Sequence, residues 1–477
     1  MKALPVSLTP NPPARGRGER REWLRDFRVK GEGSAQSAVR VGCLLGLMLA
    51  CGVAIAADYR AGPENYRQIL PRLQAGDRLF LAAGDYGKGL PLHRLEGRPG
   101  APIVVEGPAH GPRARFLARR GANTVSLADV AHVVVRNLEL DGGHLPVDGV
   151  KAEGHARFAH HVTLENLHIH DFDASQQNVG ISSKCPAVGW VIRGNRIERV
   201  GTGMYLGNSD GRAPFVGGLI EGNAVVDTLG YNLQVKHQQP RPEGLPEANV
   251  RQDTLIRHNF FSKPNSPPGP TARPNVLVGH LPLSGPGSED RYLVHGNLFW
   301  QNPGESLFQG EGHVALYNNV FVTQGPDAIR IQPHNDVPRE VRILQNTVLA
   351  AHNGITVRVP EGNPYLQAVG GNAVFAARAL EGGVQQANQA GAYDRAGLFL
   401  TNPYASLYQA DLAPRPGRLE GEDYQAVWRQ GLPGVDVDLL GRKRAAGMMG
   451  AYGQAGAGPL QSWLDQWTLG WKVIPRP

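Results

Sequence analysis

Residues 219–237 read LIEGNAVVDTLGYNLQVKH. The first half, LIEGNAVV, alternates apolar and polar residues around a Gly-Asn pair. The second half, YNLQVKH, alternates again and ends in Lys236 and His237. A period of two is the pattern of a strand with one face buried. Whether this is one strand pair or one unit of a larger array depends on whether it recurs.

It does recur. VVVRNLEL (Asn137), VTLENLHI (Asn166), VIRGNRIE (Asn195), LIEGNAVV (Asn223), LIRHNFFS (Asn259), LVHGNLFW (Asn297), ALYNNVFV (Asn319), RILQNTVL (Asn346) and AVGGNAVF (Asn372) share one form. Their asparagines are 29, 29, 28, 36, 38, 22, 27 and 26 residues apart. Between them lie second strand-like pieces such as VGISSK, GMYLGN, PNVLVGH, SLFQGEG, AIRIQPHND and GITVRV. Strands at this period with no helical stretch between them exclude βαβ architectures. A coil of two or three strands joined by tight turns fits, with coils stacked in parallel so that inward Val, Ile and Leu form one column. Asparagine suits the corner of such a coil, because it tolerates the left-handed bend and bonds to neighbouring backbone. Stacked asparagines also bond along the column. The competing reading, a β-sandwich with coincidental Asn turns, would not need nine recurrences.

Composition agrees. Of 477 residues, 61 are Gly and 37 Pro, and 19 % are charged, which favours turns over long helices. Residues 1–40 carry nine Lys/Arg against four Asp/Glu, and the run VGCLLGLMLACGVAIA (41–56) follows. A basic flank, a short apolar core and an A-x-A end read as a secretory signal peptide with a long basic n-region, removed near Ala56. The expected destination is therefore the periplasm or the exterior. A lipoprotein anchored through Cys51 and a retained anchor are the alternatives. Of the net charge of +7, about +2 belongs to the remainder of the chain, so nucleic acid is not an implied partner. Past residue 56 only Cys185 remains, so no internal disulfide forms there.

The repeat resembles the right-handed parallel β-helix, pectate-lyase-like superfamily, over roughly residues 60–455. AGDRLFLAAGDYGKGLPLHRLEGRPGAPIVVEG (75–107) is similar to the entry segment of secreted members, and ENYRQILPRLQ (64–74) to their capping helix. DVDLLGRKRAAGMMGAYG (436–453) is similar to their closing segment, with Leu440 where a small turn residue is usual. The expected fold is all-β: a single-stranded right-handed parallel β-helix with an N-terminal cap and an irregular C-terminal region. The expected divisions are 1–56 (signal), 57–107 (cap and first coils), 108–375 (repeats) and 376–477 (closing segment and tail). The tail should form a short helix whose Trp463, Trp467 and Trp471 pack on the body.

Such coils bind extended ligands along an outward face. Alternation places Tyr205, Gln234, Lys236, Gln309, Arg330 and Gln332 outward. It brings Asn232, His237, His280, Glu311, His334 and Asp336 to the same levels, about 4.8 Å apart. The inserts QQPRPEGLPEANVRQ and SKPNSPPGPTARP flank these levels and are suited to wall a groove. The residue types suit β-elimination from a uronic-acid polysaccharide. That reaction needs cations or amides on the carboxylate, a base at the adjacent carbon and a proton donor for the leaving oxygen. Glycoside hydrolysis needs two carboxyl groups across the bond, and no obvious pair sits on adjacent strands.

Within the superfamily the chain looks most similar to the chondroitinase-B and alginate-lyase branch. NLQVKH followed by LIRHNFF carries that branch's lysine base onto Lys236. His280 stands about where the branch has an arginine, and Arg330 is a second cation; these three are the expected catalytic residues. Tyr205, Asn232, Gln234, His237, Gln309, Glu311, Gln332 and His334 are the expected substrate contacts. The branch's calcium-binding acids are unmatched in LGYNLQV (229–235), so no cofactor is expected, with calcium as the alternative. HIHD (168–171) and HH (160–161) invite a metal reading, but no third ligand lies at a fixed spacing, and no metal site is assigned. The expected partner is an acidic polysaccharide, bound by a monomer without a membrane span. C5-epimerisation, glycoside hydrolysis and non-catalytic polysaccharide binding are the alternatives.

Overall fold

The computed structural model describes residues 56–153 and 158–467. The segment read as a signal peptide, apart from Ala56, lies outside the described residues, as does Trp471. No described helix is long and apolar enough to cross a membrane.

The chain forms a right-handed parallel β-helix with three columns of strands. The first column runs from Asp58–Ala61 through Ala131–Arg136, Ala159–Glu165, Leu219–Glu221 and Arg291–His295 to Val384–Gln386. The second holds the strands that follow each asparagine corner, such as His168–Phe172, Ala224–Val226 and Val320–Thr323. The third holds Val150–Glu153, Val179–Ser183, Thr202–Leu206, Leu233–Val235, Val276–Val278, Phe308–Gly310 and Asp327–Ile331. Every pairing between coils is parallel. The second and third columns fuse where the single strands Thr347–Val357 and Ala373–Glu381 span both.

Alternation explains the interior. Ile192, Ile220, Ile256, Val294, Leu316, Ile343 and Val369 are register partners from coil to coil. The second column stacks Ile197, Val225, Phe261, Phe299 and Phe321, with the last pair of rings 4.4 Å apart. The third stacks Ile181, Met204, Leu233, Val276, Phe308 and Ile329. All are buried, each contributing about 1.5–3 kcal/mol of apolar transfer. The short helix Tyr66–Ile69 closes the first coils, its Tyr66 ring 5.1 Å from Tyr86.

The corner differs from expectation in one respect. From Asn195 onward the left-handed bend is taken by the residue before the asparagine: Gly194 (φ 62°), Gly222 (63°), His258 (55°), Gly296 (65°), Asn318 (55°), Gln345 (55°) and Gly371 (65°). Only Asn137 and Asn166 bend themselves (60° and 50°). They therefore stand one position earlier in the coil, and Leu167 occupies the place that Asn195 takes in the next level. Freed from the bend, the later asparagines turn inward. Asn297 Nδ2 donates to Ile256 O (2.8 Å) and to Asn319 Oδ1 (3.0 Å), while its Oδ1 accepts from Asn259 N (2.9 Å) and Nδ2 (3.0 Å). The same set links Asn195, Asn223, Asn259, Asn297, Asn319, Asn346 and Asn372, then Asn388, which the sequence reading missed. Strands of the repeat thus continue through Gly391, beyond residue 375.

The C-terminal region covers the later coils on two of the three outer faces. Tyr424, Trp428, Leu432 and Val435 pack on Leu293, Ala315, Tyr317, Leu344 and Ala368 of the first column. Leu400, Leu412, Met448, Tyr452, Leu460, Trp463 and Leu464 pack on Phe260, Leu298, Val320, Leu349 and Phe375 of the second. The closing segment is organised by Asp438, which accepts from Leu440 N (2.9 Å), Gly453 N (3.0 Å) and both Nε and Nη2 of Arg442 (2.9 and 2.7 Å). Neither covering cluster includes a third-column strand.

Replacing Asn297 by Ala removes a donor and an acceptor to which five buried groups bond. Each group left unpartnered costs about 1–3 kcal/mol. We expect Asn297→Ala to lower unfolding free energy by about 3 kcal/mol or more, read as a fall in the denaturant midpoint. A loss below about 1 kcal/mol would show that the ladder is dispensable.

Candidate functional site

The uncovered third column presents two outward rows. One runs Lys151, Ser182, Tyr205, Gln234, Leu277, Gln309 and Arg330, in register from strand to strand. The other begins just past the strand ends, where Lys184, Gly207 and Lys236 occupy equivalent places in three successive coils. Gly207 has φ 93°, and a Cβ there would stand 3.2 Å from Lys236 Cβ. Its bare backbone leaves an opening between the two lysines.

Tyr205 fills that opening from below. Lys184 Nζ lies 3.4 Å from the centre of its ring and Lys236 Nζ 5.7 Å. Burial pushes the Lys184 amine down to about 8; Lys151 and Lys236 push the same way, against Asp148. The ring face attracts the charged form and offsets part of this. Burial also lowers Lys236, opposed by Glu311. Burial raises the Tyr205 phenol, so it keeps its proton through neutral pH. The result is two half-buried amines of reduced basicity on one tyrosine. Lys184 was legible as an outward residue in GISSK, but its equivalence to Lys236 two levels on shows only when the repeats are aligned by register.

Other expected residues divide by what they touch. Gln234 and His237 sit beside the lysine pair; Gln234 is buried and His237 is half-buried. His237 is lowered by burial and by Lys236. With His280, Leu281, Ser284, Asn335 and Asp336, His237 lines a cavity of about 340 Å³. Gln309, Gln332 and His334 lie further along the face around a small cleft.

Three residues are placed otherwise than the alternation implied, and a fourth, Arg330, is outward but already paired. Asn232 is fully buried, its Nδ2 donating to Thr228 Oγ1 (3.1 Å). It precedes its strand and faces the corner. Glu311 is buried, and its Oε2 accepts from the backbone N–H groups of His334 (3.0 Å), Asn335 (2.7 Å) and Asp336 (3.1 Å). It therefore folds the loop that carries His334. His280 is buried with its ring nitrogens 2.6 Å from Leu281 O and 3.0 Å from Val337 O. Arg330 is paired with Asp327 and, at 3.2 Å, with Glu305.

The calcium chemistry of the resembling branch needs clustered acidic oxygens. The Lys236 level offers Asn232 and Gln234 instead. Among the described residues, no group of three potential metal-ligating side chains gathers on this face. A larger cavity, about 540 Å³, is lined by Pro268, Pro303, Gln324, His352, Asn353 and Arg378 and holds none of the expected residues.

No family model and no curated protein sequence matches the chain. Among solved structures it is similar to pectate lyase Pel9A, at 13 % identity and a TM-score of 0.43 over 84 % of this chain and 98 % of that one. It is similar to the PL6 family polysaccharide lyase Pedsa3628 from Pseudopedobacter saltans, at 10 % identity and a TM-score of 0.45 over 70 % and 93 %. It is also similar to the GH136 lacto-N-biosidase from Eubacterium ramulus, at 14 % identity and a TM-score of 0.37 over 70 % and 68 %. These neighbours include lyases and a glycosidase, so any activity must be argued from this chain's own side chains.

Proposed function

We propose that the protein is an exported polysaccharide lyase that cleaves a uronic-acid-containing glycan by β-elimination at Lys184, Tyr205 and Lys236. The observation that carries this reading is the pair of depressed lysines flanking one protonated tyrosine on a column face that, among the described residues, contributes nothing to the two C-terminal packing clusters. Elimination needs a base of pKa near the working pH, a charge on the substrate carboxylate and an acid for the leaving oxygen. Lys184, brought to about 8, serves as the base that takes the proton next to the carboxylate. Lys236 holds the carboxylate and stabilises the charge that develops on it. Tyr205 donates its proton to the glycosidic oxygen as that bond breaks. Gln234 and His237 position the sugar, and the cavity beside His237 receives the neighbouring unit.

The carboxylates of this face are already engaged, which favours elimination over hydrolysis. Asp148 and Glu153 flank Lys151 at 3.7 and 3.0 Å. Glu305 and Asp327 flank Arg330, and Glu311 is buried with its Oε2 held by three backbone amides, while its Oε1 has no hydrogen-bond partner.

Two outcomes test the reading. Acidic polysaccharides should yield unsaturated uronate, read by ultraviolet absorbance. Lys184→Met and Lys236→Met should each lower kcat at least ~100-fold with thermal midpoints nearly unchanged. A flat trace on every acidic glycan, or near-wild-type turnover in both variants, would overturn it. Because the base acts only when neutral, kcat should rise with pH through about 8. Amine labelling across pH should show Lys184 titrating near that value. In Lys236→Met the midpoint should move up, since one neighbouring positive charge is gone. An unchanged midpoint would show that the two amines do not interact.

A further inference from the structure

The first column carries a cluster that the lyase chemistry does not use. His132 belongs to Ala131–Arg136, and His160 and His161 to the neighbouring strand Ala159–Glu165. His160 pairs with Ala131 and Val162 with Val133, which sets His161 level with His132. Each of the three histidines offers a ring nitrogen within 4.8 Å of the others. The His132 and His161 rings stack at 4.5 Å and 16°, and the His160 ring stands at 85° to both. His160 Nδ1 and His161 Nδ1 are 3.0 Å apart. On its other side His161 Nε2 faces Glu247 Oε1 at 3.6 Å.

The backbone supports a purpose for this cluster. His132 and His161 have φ of 49° and 54°, at a place in the coil where the next two levels use Gly189 (66°) and Gly217 (60°). Side chains held in this region cost of order 1–3 kcal/mol and gather at ligand clamps. A Cβ on Gly189 would meet the His161 ring at 3.0 Å, so that glycine leaves room for the imidazole. Burial, with the neighbouring histidines, pushes His160 down to about 4 and His132 below its ordinary value. Both therefore present unprotonated nitrogen at neutral pH, the form a metal ion binds.

We propose that His132, His160 and His161 form a binding site for one divalent transition-metal ion of the zinc class. Three imidazoles leave a fourth position open in a tetrahedral set. Glu247 orients His161 through Nε2, as carboxylates do behind metal-bound imidazoles. Glu247 lies in the insert 238–252, which starts two residues after Lys236, so the ion would fasten that insert to the first column. The second histidine cluster, Glu139 with His168 and His170, is a poorer host. His168 is bound to Glu198 (2.9 Å), His170 to Asp171 (2.7 Å), and those carboxylates also pair with Arg196 and Arg199.

The test is titration of the chelator-treated full chain with Co²⁺ alone and then Zn²⁺. We expect one equivalent of Co²⁺ to give visible ligand-field bands, Zn²⁺ to displace it, and the thermal midpoint to rise with Zn²⁺. His132→Asn retains a side chain that accepts positive φ, and His160→Gln sits at an ordinary strand position. Both should abolish the bands while circular dichroism stays native. Glu247→Gln should weaken binding ~10–100-fold, and His168→Asn should leave it intact. No bands in the wild-type chain, or bands kept in His132→Asn and His160→Gln but lost in His168→Asn, would overturn the proposal. Its outcome is independent of lyase turnover.

Discussion

The corner asparagine is the constraint on which the rest of this structure depends. A parallel coil can slide against its neighbour at little apolar cost, because one Val or Ile resembles the next. A buried amide cannot slide. Asn223, Asn259, Asn297 and Asn319 each have both amide hydrogens and the carbonyl oxygen used, by the coil before and the coil after. Misregister by one residue would strand these groups away from water and turn every strand inside out. The ladder thereby sets the level of each outward residue, including the two-coil interval that brings Lys184 and Lys236 onto one tyrosine.

Coverage then decides where chemistry can occur. The C-terminal region spends its aromatic residues on the outer faces of the first and second columns, with Trp428 and Trp463 nearly or fully buried there. The third column lies outside both clusters, and the lysines on it are half-buried by their neighbours. That intermediate burial matters. Full exposure would leave the amines at ordinary basicity, and full burial would keep substrate away. Lys151 and Arg330 elsewhere on the face are each held between two carboxylates, which leaves the lysine–tyrosine group as the chemically distinct patch.

The site was only partly legible in the chain. Tyr205 and Gln234 follow from strict alternation within a strand, Lys236 from its continuation one residue past the end, and the structure places them together. Alternation stops at a strand's end, and the misplaced residues lie there. Asn232 precedes its strand and Glu311 and His280 follow theirs, where the direction of a side chain is set by the turn. Glu311 found three backbone amides and His280 the Val337 carbonyl, partners created by the loop at 333–337 that no local pattern reveals. Arg330 is outward as read, yet its neutralisation by Glu305 depends on a residue one coil earlier. Asn388 was overlooked because its preceding strand, Val384–Gln386, is polar and largely exposed.

By itself the sequence determined that the chain is a stack of parallel coils, because a recurring Asn between apolar alternations has one economical geometry. It determined the inward residues of most strands for the same reason. Only the tertiary structure decided which face remains open, which lysines share a tyrosine, and which histidines meet across two strands. These are matters of register and coverage between segments distant in the chain. His132 and His161 are 29 residues apart in sequence and side by side in space, since a coil returns to its starting place one level up.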